Sequence, residues 1–351
     1  MLSERCFKKE NILQCLSKNA DVKKLRHFSI SRYGLVDNDV RKIVWPMLVG
    51  GNCGLSDIDP EILKNHPSCH QVELDTCRMT SLIPKESTPE EIESIQKIVT
   101  RLVLSVLVDN PSLHYYQVHG FHDICYIFFS VLGEKRSRIL INKLIPTHFS
   151  LFMQKSMDVT LEYMQLIFAL LERVSTSILT SIESVELGPD FAIAWIITWF
   201  AHVLPNMDDV RRLFDLFLAT DPIMLVYVSV AIITISAKEV ESTPLDFALL
   251  YQTLARLPKL HPVEELIHEA LKIYIDLGPD KLIELGNKRI LKYREQKLLT
   301  PSTSMRQPFP KSMHYNHLLL WNTVIQHRRT IFSLSFIVIV VSYLLNKSLK
   351  G

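Results

Sequence analysis

Asn110-Pro111-Ser112-Leu113-His114-Tyr115-Tyr116-Gln117-Val118-His119-Gly120-Phe121-His122-Asp123 is the densest polar and aromatic cluster in a chain otherwise patterned for apolar helices. Pro111 closes one helical pattern, and Asp123 precedes another, the run Ile124 to Leu132. Polar groups between two apolar helices ordinarily serve the turn. This junction holds more of them than a turn needs, which makes it a candidate site on a helix-to-helix connection. His114, His119 and His122 invite a metal reading, the last two being one helical turn apart, but metal ligands need a converging group and a supporting shell and nothing else in the chain supplies a partner motif, so no metal is expected.

Composition agrees with a helical reading. Nearly half of the 351 residues are hydrophobic, and only 10 are glycine, which disfavours a turn-rich β protein and points to an all-α fold. The length suits one large domain or two ordinary ones. A formal net charge of +2 gives no bulk attraction to nucleic acid. Cys6, Cys15, Cys53, Cys69, Cys77 and Cys125 form no C-x-x-C pair and no zinc spacing, so they read as reduced thiols. Met1 to Lys24 alternates charge with short apolar pieces and does not read as a signal peptide.

Toward the N terminus of the quoted stretch, Thr88-Pro89-Glu90-Glu91 is a capping box with proline at the first helical position. The apolar stripe Ile92, Ile95, Val99, Leu102 and Val106 follows it, and this helix ends at the junction. Asp75 and Arg78, three apart, share one face of a helical turn. In isolation that pair reads as a surface salt bridge, although the guanidinium also offers a planar fork to phosphate. Arg41 and Trp45, four apart, share another helix face and can stack there. Read blandly they are a core Trp beside a surface Arg. Gly50, Gly51 and Gly54 lie in a loop, and no G-x-x-x-x-G-K-[ST] occurs, so the chain is not itself a P-loop NTPase. Residues 1–30 read as a helical, partly basic leader.

Toward the C terminus, Leu161, Met164, Phe168, Leu171 and Val174 mark an amphipathic helix. Pro189-Asp190 opens a strongly apolar one that carries Trp195 and Trp199. Asp208 and Asp209 sit in the first turn of a third, and Asp221-Pro222 opens the buried core run Ile223 to Ile235. Pro279 to Leu299 reads as a charged surface helix. Thr300 to Pro310, with three prolines, is a linker. Beyond it, Ile331 to Leu345 is interrupted only by Ser and Tyr, between Arg328-Arg329 and Lys347. As a helix, with its neighbours, it is about 25 Å long, slightly under a typical hydrocarbon core of about 30 Å. The expected organisation is a leader at 1–30, a main domain at 31–299, a linker and juxtamembrane segment at 300–328, a membrane anchor at 329–346, and a lumenal tail at 347–351. Such a short span suits the thin bilayer of the endoplasmic reticulum, with the main domain facing the cytosol.

Three forms together resemble the TBC-domain family of Rab GTPase-activating proteins. They are R-x-x-x-W-P-x-L at Arg41, Trp45 and Leu48, D-x-x-R at Asp75 and Arg78, and Y-Q-G around Tyr116, Gln117 and Gly120. Ala194-Trp195-Ile196-Ile197-Thr198-Trp199-Phe200 and Arg211-Arg212-Leu213-Phe214-Asp215 are similar to later family blocks. The resemblance spans roughly residues 32–290, and with the apolar tail it is to the membrane-anchored branch, which acts on early-secretory Rab proteins. It implies a two-lobed helical TBC domain that sends an arginine and a glutamine into the nucleotide site of a GTP-bound Rab. Arg78 takes the arginine-finger position and Gln117 the glutamine-finger position, with Asp75, Arg41, Trp45, Tyr116, Gly120 and Asp123 in support. GTP and magnesium would belong to the Rab, and no cofactor to this chain. In the family, Gly directly follows the Gln, whereas Val118 and His119 intervene in this sequence. Aligned from the left, Gln117 is the finger; aligned from the right on Gly120-Phe121-His122-Asp123, His119 falls there. Two extra residues turn a helix face by about 200°. The alternative expectation is therefore a membrane-tethered Rab-binding scaffold with weakened or absent catalysis.

Overall fold

Several helices in this protein start on a capping side chain, Asp21, Asp37, Thr88 and Asp246 among them. The computed structural model describes residues 2–18, 20–50, 54–115 and 120–299. Among these residues every regular element is helical. In chain order the α-helices are α1 (Leu2–Ser17), α2 (Val22–Ile30), α3 (Asn38–Val49), α4 (Pro60–Lys64), α5 (Cys69–Arg78), α6 (Pro89–Asp109), α7 (Phe121–Leu132), α8 (Glu134–Leu144) and α9 (Asp158–Val174). There follow α10 (Thr176–Ser184), α11 (Ile193–Ile197), α12 (Met207–Ala219), α13 (Met224–Ile235), α14 (Ala237–Glu241), α15 (Phe247–Arg256), α16 (Val263–Asp276) and α17 (Pro279–Leu299).

The capping box at Thr88 is formed in full. Its hydroxyl accepts from the Glu91 backbone N–H, and the Glu91 carboxylate accepts from the Thr88 N–H at 2.8 Å. Two orphan donors are thereby satisfied at the start of α6. The stripe below it buries Val99, Leu102 and Val106 completely. On the opposite side of the junction, α7 begins at Phe121, earlier than the run Ile124 to Leu132 suggests, so Asp123 lies in its first turn. The apolar run after Asp221-Pro222 becomes α13, buried from Met224 to Ile233, as a helix apolar on all sides must be.

Contacts sort the helices into two groups. In one, α6 packs on α5, α7 and α8; in the other, α9 packs on α13 and α17, and α13 on α16. Between them, α12 touches α2, α3 and α16. The charged helix α17 lies along α9, where Gly286 lacks the Cβ that would stand 2.1 Å from Leu166 Cδ2. Arg294 holds Glu162 through two bonds of 2.6 Å beside that approach. The leader forms α1 and α2 and is seated on the body: Ile12, Leu25 and Ile30 are fully buried. From α2, Arg26 donates to Leu48 O at 2.8 Å and to Leu218 O and Ala219 O at 3.3 and 3.2 Å.

The region after Pro189 departs from the single apolar helix that its sequence predicts. A short 3₁₀ turn, Pro189–Ala192, leads into α11, which ends at Ile197, and Trp199 and Phe200 then adopt φ of +51° and +65°. Trp195 and Trp199 therefore do not share a helix face. The left-handed turn sends Trp199 inward, 5.0 Å from the Phe149 ring and 5.1 Å from the Phe214 ring. Aromatic burial offsets the strain of bulky residues at positive φ.

No helix among the described residues is long and apolar enough to cross a membrane. The span expected at 329–346 and its flanking linker lie outside the described residues.

Candidate functional site

Arg78 is the last residue of α5, and its side chain is 63% exposed. One turn back, the Asp75 carboxylate is buried. The pair is separated by 3.5 Å from Arg78 Nη1 to Asp75 Oδ1, so it is not the exposed ion pair that its spacing suggests. A buried carboxylate steers the stem of an otherwise free cation. Asp75 is itself held from two sides. Gln71 Nε2 donates to Oδ1 at 3.0 Å, and the Tyr115 hydroxyl donates to Oδ2 at 3.1 Å. Such satisfaction is what a buried carboxylate requires.

Tyr115 carries the chain of contacts into the junction. Its hydroxyl lies 3.2 Å from His122 Nδ1, and His122 Nε2 lies 3.2 Å from Asp123 Oδ1. Asp123 Oδ2 is 3.1 Å from Nδ1 of His202, whose side chain is largely exposed. The sequence Arg78, Asp75, Tyr115, His122, Asp123, His202 is thus one unbroken polar chain from an exposed cation, through buried groups, to a surface imidazole. Burial and the neighbouring Asp75 carboxylate push the Tyr115 phenol far above its ordinary range, so it stays a donor at any physiological pH. The hydrogen bond that His202 donates to the Asp123 carboxylate raises the His202 pKa above 6.5 against the opposing effect of burial.

Gly120 fixes where this network begins. It precedes α7 with φ of +65°, and an added Cβ would stand 2.3 Å from Thr198 Cγ2. Thr198 belongs to the turn that ends α11, and its hydroxyl accepts from the His202 N–H at 3.2 Å. The α11 turn, Gly120 and His202 therefore clamp the start of α7 together. On the other side of the junction, the His114 N–H donates to Met153 O at 2.9 Å.

Of the residues expected to form a site, Asp75, Arg78 and Asp123 join this network directly, and Gly120 abuts it. Tyr116 and Gln117, with Val118 and His119, lie outside the described residues. Arg41 and Trp45 do share a face of α3, but they neither stack nor leave the arginine on the surface. Both are buried and converge on Asp215 of α12. Arg41 Nε and Nη2 donate to its two oxygens at 3.0 Å each, and Trp45 Nε1 donates at 2.8 Å. The Leu35 N–H adds a fourth donor at 3.0 Å. This second cluster is structural, tying α3 to α12. A buried arginine needs a buried acid, and an acid 174 residues away is invisible to local spacing.

Sequence reasoning passed over Tyr115 and His202, and weighed His122 only as a metal ligand. Tyr115 and His122 stood in the quoted stretch, but nothing local separates Tyr115 from Tyr116. His202 lies 79 residues from Asp123, and no motif points to it.

Residues 38–240 match the family model described as the Rab-GTPase-TBC domain. The chain is 34% identical over 285 residues to TBC1 domain family member 20 of Bos taurus, covering 80% of this chain and 70% of that protein. It is 28% identical over 266 residues to GTPase-activating protein gyp10 of Schizosaccharomyces pombe, covering 74% of this chain and 70% of the relative. Among solved structures, the Ypt/Rab-GAP domain of Gyp1p superposes with a TM-score of 0.60 at 17% identity, over 78% of this chain and 98% of that one, which speaks to the fold.

Proposed function

Because the chain belongs to the Rab-GTPase-TBC domain family and so has the role of a Rab GTPase-activating protein, we propose that Arg78 and Gln117 are its two fingers. The observation that carries the proposal is the state of Arg78. It is an exposed guanidinium at a helix end, backed by a carboxylate that is itself buried and held by Gln71 and Tyr115. The cation is aimed but not consumed, as a group that must act on another molecule has to be. In the Rab nucleotide site it offsets charge developing on the phosphate oxygens as the terminal phosphoryl group leaves. Gln117 would orient the attacking water, its amide accepting from the water and donating to backbone. The nucleotide and magnesium belong to the Rab.

Single-turnover hydrolysis by a GTP-loaded Rab tests this reading. Arg78→Ala should lower the acceleration by about 10³-fold or more, the usual contribution of an arginine finger, while binding of the GTP-bound Rab persists. Acceleration within a few-fold of wild type would overturn the assignment. The second reading, a scaffold that binds Rab without accelerating it, is favoured by one observation, the Val118-His119 surplus beside Gln117. It predicts that the unmodified chain binds the GTP-bound Rab and leaves the hydrolysis rate unchanged.

We also propose that residues 329–346 anchor the chain in the endoplasmic reticulum membrane, with Arg78 on the cytosolic side and early-secretory Rab proteins as partners. The apolar run Ile331 to Leu345 supports this, framed by basic residues on both sides. Removing residues 329–351 should release the protein from carbonate-washed membranes, and retention there would refute the anchor.

A further inference from the structure

The polar network that begins at Arg78 has a second exposed end, which the finger assignment does not use. His202 lies in the turns after α11, with its side chain 64% exposed. Its Nδ1 meets the buried Asp123 carboxylate at 3.1 Å, as Arg78 meets the buried Asp75 carboxylate at 3.5 Å. Each exposed group is therefore steered from behind by a carboxylate withdrawn from solvent. The five contacts that link the two ends, through Asp75, Tyr115, His122 and Asp123, are all 3.5 Å or shorter. A protein interface of ordinary size covers about 800 Å² on each partner and is roughly 30 Å across, wide enough for one docked molecule to reach both ends.

The two nitrogens of the His202 ring have different roles. Nδ1 is occupied by Asp123, while Nε2, on the far side of the ring, makes no hydrogen bond among the described residues. The hydrogen bond to Asp123 favours the protonated ring, in which Nε2 is a donor. In the neutral ring with its proton on Nδ1, Nε2 is an acceptor. Protonation thus changes only the outward face, because Nδ1 donates to Asp123 in both forms.

The surroundings work against a purely structural imidazolium. Lys259, in the 3₁₀ turn Leu257–Lys259 after α15, is exposed and has no ion pair or hydrogen bond among the described residues. Its charge opposes the protonation of His202. Arg256, three residues earlier, is exposed and equally unpaired among the described residues. The groups that act on His202 are thus Asp123 from α7, a carboxylate shared with His122, and Lys259 from the turn, with burial as the remaining influence. Stability alone gains nothing from an ammonium set beside an imidazolium. A carboxylate brought by a partner would answer both charges.

We propose that His202, with Lys259 beside it, is a second docking point for the GTP-bound Rab, at which the protonated imidazole donates from Nε2 to a carboxylate on the Rab surface. The proposal rests on the Rab GTPase-activating reading and adds to it a contact that governs docking, leaving the phosphoryl-transfer step to Arg78. Affinity is highest with the ring protonated and falls as pH rises through the folded-state pKa of His202.

The test measures the affinity of the full chain for an early-secretory Rab carrying a hydrolysis-resistant GTP analogue, from about pH 6 to about pH 8.5. Beside it, single-turnover hydrolysis is followed at saturating Rab with GTP. Across that range the wild-type affinity should weaken about fivefold, the upper end for a solvent-exposed ion pair. His202→Gln keeps a donor for Asp123 and cannot take a charge. It should bind at every pH as the wild type does at high pH, and its saturated rate should match the wild type's at each pH. Lys259→Ala, at an exposed position where folding is not at stake, should lower affinity at low pH. It should also move the midpoint of the pH profile upward, because the repulsion on His202 is gone. A wild-type affinity that does not vary with pH, a pH dependence that survives in His202→Gln, a midpoint unmoved by Lys259→Ala, or a loss in His202→Gln that falls on the saturated rate would each overturn the docking role. No binding of the wild-type chain at any pH would instead overturn the early-secretory Rab reading beneath it.

Discussion

At the scale of single residues, the polar chain from Arg78 to His202 makes two claims. The first concerns the Tyr115 hydroxyl, which joins Asp75 to His122. Tyr115→Phe keeps the ring in place and removes that donor from a buried carboxylate. A stability loss of about 1–3 kcal/mol is expected from denaturant midpoints. The rate of Rab GTP hydrolysis should fall further than Rab binding does, because Arg78 loses its guide and keeps its exposure. Equal losses in rate and binding would indicate a merely structural tyrosine. The second claim concerns pH. The hydrogen bond to Asp123 raises the His202 pKa, against burial and the repulsion of Lys259, with His122 as the other imidazole on that carboxylate. A group whose pKa is raised by folding contributes stability that is complete below its unfolded value of 6.5 and is lost as pH rises through the folded value. Tm should therefore fall as pH climbs upward from 6.5, and His202→Gln should flatten that slope. A slope unchanged in the variant would place its origin elsewhere.

At the scale of elements, the start of α7 depends on one residue without a side chain. Gly120→Ala must place a Cβ against Thr198 Cγ2 while holding φ at +65°. The combined strain and clash should destabilise the protein by about 1–3 kcal/mol. Hydrogen exchange should show the first turn of α7 opening before the rest of the helix. Pairing it with Thr198→Ser, which removes the opposing methyl, should recover only part of the loss. How far such features can be read in advance varies by kind. The capping box at Thr88 and the buried run of α13 were both legible, because caps and apolar periodicity are encoded within one or two turns of chain. The break after α11 was not. Apolar residues continue across it at helical spacing, and only the ring pocket of Phe149, Phe214 and Phe217 explains why Trp199 leaves the helix. The site was legible in the same partial way. Asp75 and Arg78 were readable as a helical pair. The burial of Asp75 and the reach to Tyr115 and His202 were not, because those partners come from distant elements.

At the scale of the whole molecule, α12 is the keystone between the two groups of helices. Its Asp215 accepts from Leu35, Arg41 and Trp45, while its Arg212 donates to the carbonyls of Ser29 and Ile30 and to Glu264 of α16. Burial acts to raise the pKa of Glu264, but the Arg212 guanidinium beside it prevails and holds the carboxyl below its ordinary value. Asp215→Ala leaves the Arg41 guanidinium buried without its counter-charge. Breaking one side of a buried ion pair should lower stability by about 3–5 kcal/mol. Chemical denaturation of the full chain measures the loss, and a change under about 1 kcal/mol would mean that water or Asn38 replaces the carboxylate without penalty.

The same long reach bears on how the protein is made. Arg26 finds two of its carbonyl acceptors 192 and 193 residues later in the chain, and Arg41 finds its carboxylate 174 residues later. At ordinary elongation rates of about 5–20 residues per second, those partners leave the ribosome some tens of seconds after the arginines do, roughly 10–40 s. Through that interval the first helices emerge with cations that have nowhere to be buried. A nascent chain stalled before residue 215 should stay open to protease, and one stalled well past α12 should close.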